Sequence, residues 1–343
     1  MPAKATEATH SGTDCRRPAP LAAPETNTAA LGTPRIVVAI NNYNYACFVL
    51  EAIASILSQS RGVDRILIID DGSTDNSVEL LEGVRASDPR VSLVTKTNAG
   101  QLSAFNAIAE LVDRDDLVFL LDADDLYNKH HVDVVVSCLE PHVDFYMIFP
   151  ARFHNATELA ENSLAAMTPA LPLYTETIES SVYLSSLGRS WVCVPTSGIA
   201  VRGRLLKRVL PYRDLESWRT CADDVLATAT SILAAKKKVI YGYHFNYRIH
   251  GNNNFARKTP THIERRQKYL ARNKLISHYR RMAKLPPGLR FWALRTELRA
   301  LPKQAQTAFF HEPFTRSVLR VLLNPLIAWL YRLLEAVNAR GLR

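Results

Sequence analysis

Five consecutive apolar residues run directly into a cluster of carboxylates in the middle of the chain. Residues 117–121 form a short, continuous apolar segment, which predicts a buried strand. Asp122, Asp124 and Asp125 follow at once, so negative charge collects where that strand ends. Ligands of open parallel sheets bind at this end of the strands, and oxygen ligands suit Mg²⁺ or Mn²⁺. The alternative is a solvated turn, since Asp is common in turns, and this segment alone does not decide between the two.

Other apolar segments alternate with helical patterns around this strand. Strands are predicted at 36–40, 65–69, 91–94 and 145–149, and helices at 49–57, 76–84, 102–112 and 128–139. Such alternation predicts an α/β fold with a mainly parallel sheet. A strand at 195–201, a helix at 205–210, a helix reaching residue 235 and a strand at 239–245 follow, whereas 150–190 is expected to form loops.

Polar residues follow three of the predicted strands. Asn42 and Asn44 follow the first strand, Asp70 and Asp71 follow the second, and the cluster that begins at Asp122 follows the central one. These side chains are expected to share one sheet edge, and like charges that converge cost stability unless something binds them. The convergence favours a ligand site over a turn. The sequence lacks the glycine patterns of a dinucleotide fold after the first strand and of a P-loop anywhere.

Two further polar pairs occur after residue 220. Asp223 and Asp224 open a predicted helix, where acids complement the helix dipole but where a general base is also held rigidly. Arg248 and His250 alternate onto one face of an extended segment. Arginine suits a phosphate and histidine suits a phosphate or a metal, although a salt bridge and a surface histidine explain the pair equally well.

Taken together, these segments resemble the family-2 inverting glycosyltransferases of GT-A fold. The matching segments are Asn44, SILSQ at 55–59, IIDDGSTD at 68–75, NAGQLSAFN at 98–106, LDADD at 121–125 and YRIHGNN at 247–253. The resemblance covers residues 34–255 and implies a Rossmann-like, mainly parallel sheet flanked by helices. It implies a nucleotide-binding half at 34–150 and an acceptor and catalytic half at 151–255. A basic and amphipathic helical tail at 256–343 would form a C-terminal extension.

The resemblance also implies a role for each matching side chain. Asp71 would accept a hydrogen bond from the base of the nucleotide, and Asp70 would shape that pocket. The expected nucleotide contacts are Asn42, Asn44, Asp70, Asp71, Asn98, Gln101 and Asp122. Asp124, with Asp122 and His250, would hold Mg²⁺ or Mn²⁺, and Arg248 would bind the diphosphate.

Inversion by a single displacement needs a base that takes the proton of the acceptor hydroxyl. Family members usually carry Glu-Asp with a leucine three residues on. Asp223 keeps that spacing to Leu226, although Ala222 replaces the glutamate, so Asp223 is the expected base and Asp224 is the alternative.

The predicted function is therefore metal-dependent, inverting transfer of a sugar from a nucleotide-sugar donor, expected to be UDP-linked. The acceptor would be a hydroxyl of a glycan or of a lipid-linked saccharide. One alternative is a nucleotidyltransferase on a related fold, which needs a cationic, usually glycine-rich loop after the first strand. Another is a non-catalytic nucleotide- or sugar-binding module, for which substitution of Asp223 and Asp224 would change nothing measurable.

Charge is distributed unevenly along the chain. From Arg248 onward there are 20 Lys/Arg and 4 Asp/Glu, against 22 and 29 before it. A basic tail indicates an anionic partner such as a phospholipid surface, a lipid-linked phosphate or nucleic acid, although a solvated helical face also explains such charge. The expected partner is a membrane surface, and nucleic acid is not expected. Residues 316–336 combine a wide apolar face with a narrow polar one, which predicts an amphipathic helix at a bilayer interface. The alternative is a helix packed on the domain or in a homodimer.

The N-terminus and the cysteines indicate the compartment. Residues 1–33 are rich in Ala, Thr and Pro, which predicts a disordered leader without the apolar core of a signal peptide. The five cysteines show neither a CxxC pair nor zinc spacing, which predicts reduced thiols. We therefore expect a cytoplasmic protein that is peripheral to the inner face of the membrane.

Overall fold

The continuous apolar segments form the strands of a single sheet. The computed structural model describes residues 33–166, 174–187, 190–251, 253, 261–286 and 291–309. The strands are β1 (Ile36–Asn42), β2 (Arg65–Asp70), β3 (Val91–Thr95), β4 (Leu117–Asp122), β5 (Phe145–Phe153), β6 (Thr175–Ile178), β7 (Ile199–Arg202) and β8 (Lys237–Arg248). Strands of such continuous apolar character are buried on both faces, as a parallel sheet covered by helices requires.

The order of the strands is β3-β2-β1-β4-β7-β5-β8-β6. β1 pairs in parallel with β2 and β4, β2 with β3, and β5 with β8. β7 runs antiparallel between β4 and β5, and β6 is antiparallel to β8. The predicted mainly parallel α/β sheet is confirmed.

The register of the strands brings their polar ends together. Asn42 at the end of β1 is paired with Asp70 at the end of β2. On the other side of β1, Asn41 is paired with Asp122 at the end of β4. Three polar strand ends therefore meet at one edge of the sheet, as the sequence predicts.

Helices cover both faces of the sheet. They are α1 (Val49–Leu57), α2 (Ser77–Ser87), α3 (Gln101–Leu111), α4 (His131–Ser137), α5 (Ala156–Ala166), α6 (Val182–Ser186), α7 (Gly203–Val209), α8 (Asp223–Ile232), α9 (His262–Met282), α10 (Phe291–Ala300) and α11 (Lys303–Phe309). Alternate residues of β1 belong to different apolar layers. Val37 packs in one layer with Phe105 of α3 and Leu226 of α8, and Val38 packs in the other with Ile53 of α1.

Three predicted elements differ from the structure. The segment predicted as a strand at 195–201 starts with a 3-10 turn, Thr196–Gly198, and the strand begins at Ile199. The backbone is tightly packed there, since a Cβ on Gly198 would lie 2.1 Å from the Ile148 carbonyl oxygen. The helix predicted at 128–139 begins only at His131, because Asn128 bonds to other segments: its amide donates to the His244 carbonyl and its own carbonyl accepts from Gln59.

The third difference is at 150–190, where loops were expected. The described part of this segment contains the end of β5, then α5, β6 and α6. β5 continues to Phe153 because it pairs with the end of β8, where Arg152 lies opposite Tyr247. These pairings join residues nearly a hundred positions apart and leave no local signal.

Helices follow the sheet, in agreement with the predicted C-terminal extension. Thr261 and Glu264 form a capping box that begins α9. The described residues from Pro34 onward form one compact unit. Within the described ranges every helix is too short or too polar to cross a bilayer, and the four cysteines there are free thiols. The predicted leader at 1–33, apart from its last residue, and the predicted amphipathic helix at 316–336 lie outside the described residues.

Candidate functional site

Asp70, at the end of β2, is fully buried and organises the loop that follows it. One carboxylate oxygen accepts hydrogen bonds from the backbone N–H groups of Gly72 (3.1 Å) and Ser73 (2.9 Å). The other accepts from the Asn42 side-chain amide (2.7 Å) and from the Ser73 hydroxyl (2.6 Å). Asp70 therefore ties the ends of β1 and β2 to the loop and shapes the edge of the sheet.

Asp71 joins that loop to the segment before α3. Its carboxylate accepts from the backbone N–H of Gly100 at 2.7 Å and of Ala99 at 3.1 Å, and it is ion-paired with Lys96. Gly72 allows the two loops to touch, because its φ is +77° and a Cβ there would lie 2.8 Å from the backbone nitrogen of Asn98.

Asn42, the last residue of β1, and Asn44, in the loop after it, differ in what they bind. Asn44 has a positive φ of 57°, and its side-chain oxygen accepts from the backbone N–H of Thr74 at 2.7 Å. Asn42 is buried, and its side-chain oxygen has no hydrogen-bond partner among the described residues. Such an unsatisfied acceptor at a strand end is suited to a donor group of a ligand.

The acidic cluster after β4 is largely buried. Asp122 accepts from the Gln101 amide at 3.0 Å, and its backbone N–H donates to the Ser197 hydroxyl at 3.1 Å. Burial, with the nearby charge of Asp124, raises the pKa of Asp122 to about 7. Asp125 accepts from the same Ser197 hydroxyl at 2.6 Å, and burial raises the pKa of its carboxyl well above the usual range.

Arg248 and His250 both contact Asp124, although they lie 124 and 126 positions after it in the sequence. His250 Nε2 is 2.9 Å from an Asp124 carboxylate oxygen. Arg248 donates to the Asp124 backbone carbonyl (2.9 Å) and to Glu51 (2.7 Å), and its guanidinium lies over the ring of Phe48. The predicted pair is thus brought to the site, with several arginine donors already bound by the protein.

The two acids at the start of α8 are in different environments. Asp224 is ion-paired with Lys268 (3.1 Å) and Arg272 (3.2 Å) of α9. Asp223 accepts the backbone N–H of Asp224 at 3.0 Å. Burial, together with the charges of Asp224 and Asp122, raises the pKa of Asp223 to about 7. A carboxyl that titrates near neutrality is suited to proton transfer, whereas one fixed by two cations is not.

Asn98 and Gln101 connect the loop before α3 to the segment before α8. The Asn98 side-chain oxygen accepts from the Arg219 guanidinium. The Gln101 side-chain oxygen accepts from the backbone N–H of Ala222 at 2.8 Å. All the predicted site residues are thus placed around one edge of the sheet or bonded to residues that are.

Five site residues escape prediction from the sequence. Lys96 and Arg219 bind predicted site residues, Ser197 links two aspartates, and Lys268 and Arg272 pair with Asp224. The only local signal is the i, i+4 spacing of Lys268 and Arg272 on a predicted helix. The others are single polar residues without a pattern.

The acidic cluster fits a divalent cation only in part. In the described part of the chain, no three His, Cys, Asp or Glu side chains form a group that could hold a metal ion. Mg²⁺ often uses one or two carboxylates and completes its shell with water and substrate phosphates. Asp122 and Asp124 suit such an arrangement, because a cation would offset the repulsion that raises the pKa of Asp122.

Related sequences span much of this chain. The profile of "Glycosyl transferase family 2" matches residues 37–196. "Uncharacterized glycosyltransferase alr2836" of Nostoc sp. is 31% identical over 246 residues, which are 71% of this chain and 74% of that protein. An uncharacterized glycosyltransferase of Haemophilus influenzae is 38% identical over 96 residues, 28% of this chain and 38% of that protein.

The fold has a counterpart among solved structures. The structure of S. aureus TarS residues 1–349 in complex with UDP-GlcNAc superposes with a TM-score of 0.50 and 16% identity, over 80% of this chain and 83% of that one. This likeness confirms the predicted GT-A fold. Because the identity with the Nostoc glycosyltransferase extends over most of both chains and the family profile spans the acidic strand ends, the chain belongs to glycosyltransferase family 2.

Proposed function

We propose that this glycosyltransferase moves a sugar, with inversion, from a UDP-linked donor to a hydroxyl group of a glycan or of a lipid-linked saccharide. One observation carries the proposal. Asp122 belongs to the predicted nucleotide-binding half and Asp223 to the predicted catalytic half, and both lie at the same sheet edge, where Gln101 bonds to Asp122 and to Ala222 beside Asp223. After burial and the charge of Asp224, the charge of Asp122 also helps to raise the pKa of Asp223. Asp122 belongs to the predicted donor side, and Asp223 is the predicted base for the acceptor. The edge therefore holds a group for each of the two substrates of a transfer reaction.

Asp223 is the base in this proposal. It takes the proton of the acceptor hydroxyl, whose oxygen forms the new bond to the anomeric carbon. The bond from that carbon to the diphosphate oxygen breaks, and the nucleoside diphosphate leaves with the electron pair. The ion pairs of Asp224 with Lys268 and Arg272 support Asp223 over its neighbour, because the oxygens of the Asp224 carboxylate are already bound to two cations and are less available to an acceptor hydroxyl.

The donor occupies the ends of β1, β2 and β4 in this proposal. The unpartnered oxygen of Asn42 and the carboxylate of Asp71 lie where the base and ribose would bind. Asp124 and Asp122 would hold Mg²⁺ or Mn²⁺, with water and the donor phosphates completing the shell, and the ion would supply positive charge against the leaving diphosphate. His250, which was expected as a third ligand, bonds to the Asp124 carboxylate at 2.9 Å and forms no three-residue metal group with the two aspartates among the described residues. Arg248 lies beside Asp124 and adds a fixed positive charge there.

Binding is tested by the shift in melting temperature with UDP, dTDP, GDP, CDP and ADP, each with and without Mn²⁺. A ligand of the native state raises its apparent stability. We expect UDP with Mn²⁺ to raise the melting temperature and Asp124→Ala to abolish the shift. Asp133→Ala is the control, because Asp133 is a half-exposed acid of α4 paired with Arg61. No shift with any nucleotide overturns the proposed donor site.

Turnover is tested by UDP release from a panel of UDP-sugars, with water as the acceptor. UDP-GlcNAc is the first probe, since TarS was solved with it. Family membership favours transfer over the two alternatives considered above. A binding module without activity would release no UDP. A nucleotidyltransferase would cleave the diphosphate bridge instead and give UMP and a sugar 1-phosphate. Peripheral membrane contact and a homodimer remain proposals, since residues 316–336 lie outside the described part of the chain.

A further inference from the structure

We infer that Gln101 is a positioning residue that sets the place of Asp223 relative to the donor edge. The inference rests on the proposed function, because it concerns how the proposed base is held. Gln101 was expected to contact the nucleotide. That contact stays a prediction; in the structure both ends of its side chain are bound within the protein, one at Asp122 and the other at Ala222.

The two bonds of Gln101 need a donor and an acceptor on one side chain. Its Nε2 donates to the Asp122 carboxylate at 3.0 Å, and its Oε1 accepts the backbone N–H of Ala222 at 2.8 Å. A carboxylate only accepts and an N–H only donates, so these partners fix the orientation of the amide. Among the side chains, a primary amide of this length meets both demands.

The bond to Ala222 controls the start of the base helix. Ala222 is the N-cap residue of α8 and is fully buried, and Asp223 is the next residue. A buried N–H without a partner costs about 1–3 kcal/mol. Gln101 therefore provides the acceptor for the N–H of Ala222, the residue directly before Asp223.

Close backbone packing supports the same connection. The Gln101 backbone N–H donates to the Arg219 carbonyl at 2.8 Å. A Cβ on Gly100 would lie 2.4 Å from the Arg219 Cα, so the two segments are in direct contact. The Gly100 N–H binds Asp71 on the other side. A continuous path of bonds thus runs from Asp71, through residues 99–101, to the residue before Asp223.

The path of bonds from Asp71 through residues 99–101 to Ala222 explains how the two substrates can be aligned. The donor is proposed to bind at Asp71 and Asp122, and the acceptor proton goes to Asp223. Displacing a catalytic group by about 1 Å costs about 100-fold in rate. A bridge from Asp122 to the first turn of α8 limits that displacement without touching either substrate.

The test replaces Gln101 with methionine, which has a similar length and no amide. Affinity for UDP with Mn²⁺ and UDP release from the UDP-sugar turned over fastest by the wild type are both measured. We expect kcat to fall about 100-fold for Gln101→Met, with the Kd for UDP changing less than about threefold. Gln101→Asn keeps the amide but is one methylene too short to reach both partners, and it should lose kcat as well.

Gln59→Met is the matched control, because Gln59 is another buried bridging glutamine. Its amide donates to the Asn128 carbonyl at 2.9 Å and its oxygen accepts from the Val132 N–H at 3.0 Å, joining α1 to α4. It should lose comparable stability and keep kcat. The inference is wrong if Gln101→Met keeps kcat, if Gln59→Met loses as much, or if the loss lies in UDP affinity. A wild type that binds no nucleotide contradicts the proposed function instead.

Discussion

Asp223 and Asp224 are neighbours in the chain, yet α9 holds only the second of them in ion pairs among the described residues. Lys268 and Arg272 lie 3.1 and 3.2 Å from the Asp224 carboxylate. The Asp223 carboxyl accepts the Asp224 N–H and has a raised pKa because it is buried beside the charges of Asp224 and Asp122. This difference assigns separate expected roles to the two acids.

Asp223→Asn should abolish most turnover and leave donor binding intact. General-base catalysis contributes about 10²–10⁴-fold, and an amide cannot accept the acceptor proton. UDP release and the UDP-induced melting shift measure the two effects separately. Asp224→Asn serves as the adjacent control. It breaks partly exposed ion pairs, which are worth no more than about 1 kcal/mol, so it should lower stability slightly and keep most of the rate. The opposite ranking of the two variants would make Asp224 the base.

Turnover should depend on pH through the same carboxyl. The pKa of Asp223 is raised to about 7, chiefly by burial, and the base must be deprotonated to act. kcat/KM for UDP release should therefore fall as pH decreases below about 7, approaching tenfold per pH unit. The residual rate of Asp223→Asn should lose the part of this dependence that Asp223 contributes and keep the part that comes from Asp122, whose pKa is also raised to about 7. A wild-type rate that is constant from pH 8 to pH 5 would exclude a base of this pKa.

His131 should make the folded state less stable in acid. It is buried, stacked on Tyr127 with ring centroids 4.0 Å apart, and burial lowers its pKa to about 3. As pH falls below about 6.5, the unfolded chain gains a proton that the folded chain does not, so unfolding becomes easier. His131→Phe removes this dependence. As pH decreases below 6.5, the free energy of unfolding of His131→Phe minus that of the wild type should increase by up to about 1.4 kcal/mol per pH unit.

Urea denaturation of both proteins between pH 7.5 and pH 5 measures this difference. Any cost of fitting phenylalanine into the pocket is independent of pH and cancels in the slope. His142→Phe is the control, since His142 is exposed. Parallel stability curves for His131→Phe and the wild type would show that His131 is protonated in the folded state.

The sequence predicts the meeting of the polar strand ends at one sheet edge well, because the determinants of that edge are local. Residues 117–121 are apolar enough to be buried on both faces, and the acids that follow are placed by the strand itself. The register then follows from the order of parallel strands, which pairs Asn42 with Asp70. The start of α8 is predictable for the same reason, because the two acids Asp223 and Asp224 are a local signal of a helix N-terminus.

The partners of these residues are less predictable, because their positions depend on packing between distant segments. Gln101 meets Ala222 across 121 positions, and Arg248 meets Asp124 across 124. β6 and α6 lack a strong periodicity and are fixed by contacts with β8 and with the C-terminal helices. Local pattern does not encode these pairings, so the sequence assigns plausible side chains to the site without showing which of them bind each other.

The C-terminal helices and the β6–α6 segment cap one another. Glu297 of α10 accepts the N–H groups of Tyr183 (2.7 Å) and Leu184 (2.9 Å) in the first turn of α6. Glu176 of β6 accepts the N–H of Ala305 (3.0 Å) in the first turn of α11. The extension is thereby bonded to the half of the chain in which the acceptor is proposed to bind.

Glu297→Ala should therefore destabilise the protein. It leaves the buried N–H of Leu184 and the partly buried N–H of Tyr183 without an acceptor, at about 1–3 kcal/mol for the buried one. Urea denaturation should show a lower midpoint with an unchanged slope. Glu82→Ala is the comparison, because Glu82 is half-exposed and pairs with Arg85 one helical turn away. That variant should change stability by less than about 0.5 kcal/mol. Equal effects of the two substitutions would show that the capping contributes nothing measurable.

Gly100 and Gly83 provide a paired test of the contact between α3 and the segment before α8. Gly100 has φ 91° and ψ 170°, a conformation almost restricted to glycine, and a Cβ there would meet Arg219 at 2.4 Å. Gly83 lies inside α2 with open space around it. Gly100→Ala should destabilise by at least about 2 kcal/mol, from backbone strain and overpacking. Gly83→Ala should stabilise by about 0.5–1 kcal/mol through helix propensity.

The two alanine variants should also differ in turnover. Relief of the clash at Gly100 must move Arg219 and, with it, Ala222 and the base beside it, so UDP release should fall by more than the loss of folded protein explains. Measurement at a temperature where both variants remain folded separates the two effects. If Gly100→Ala keeps wild-type kcat while it is folded, the position of Arg219 does not control that of Asp223, and the connection through residues 99–101 is only structural.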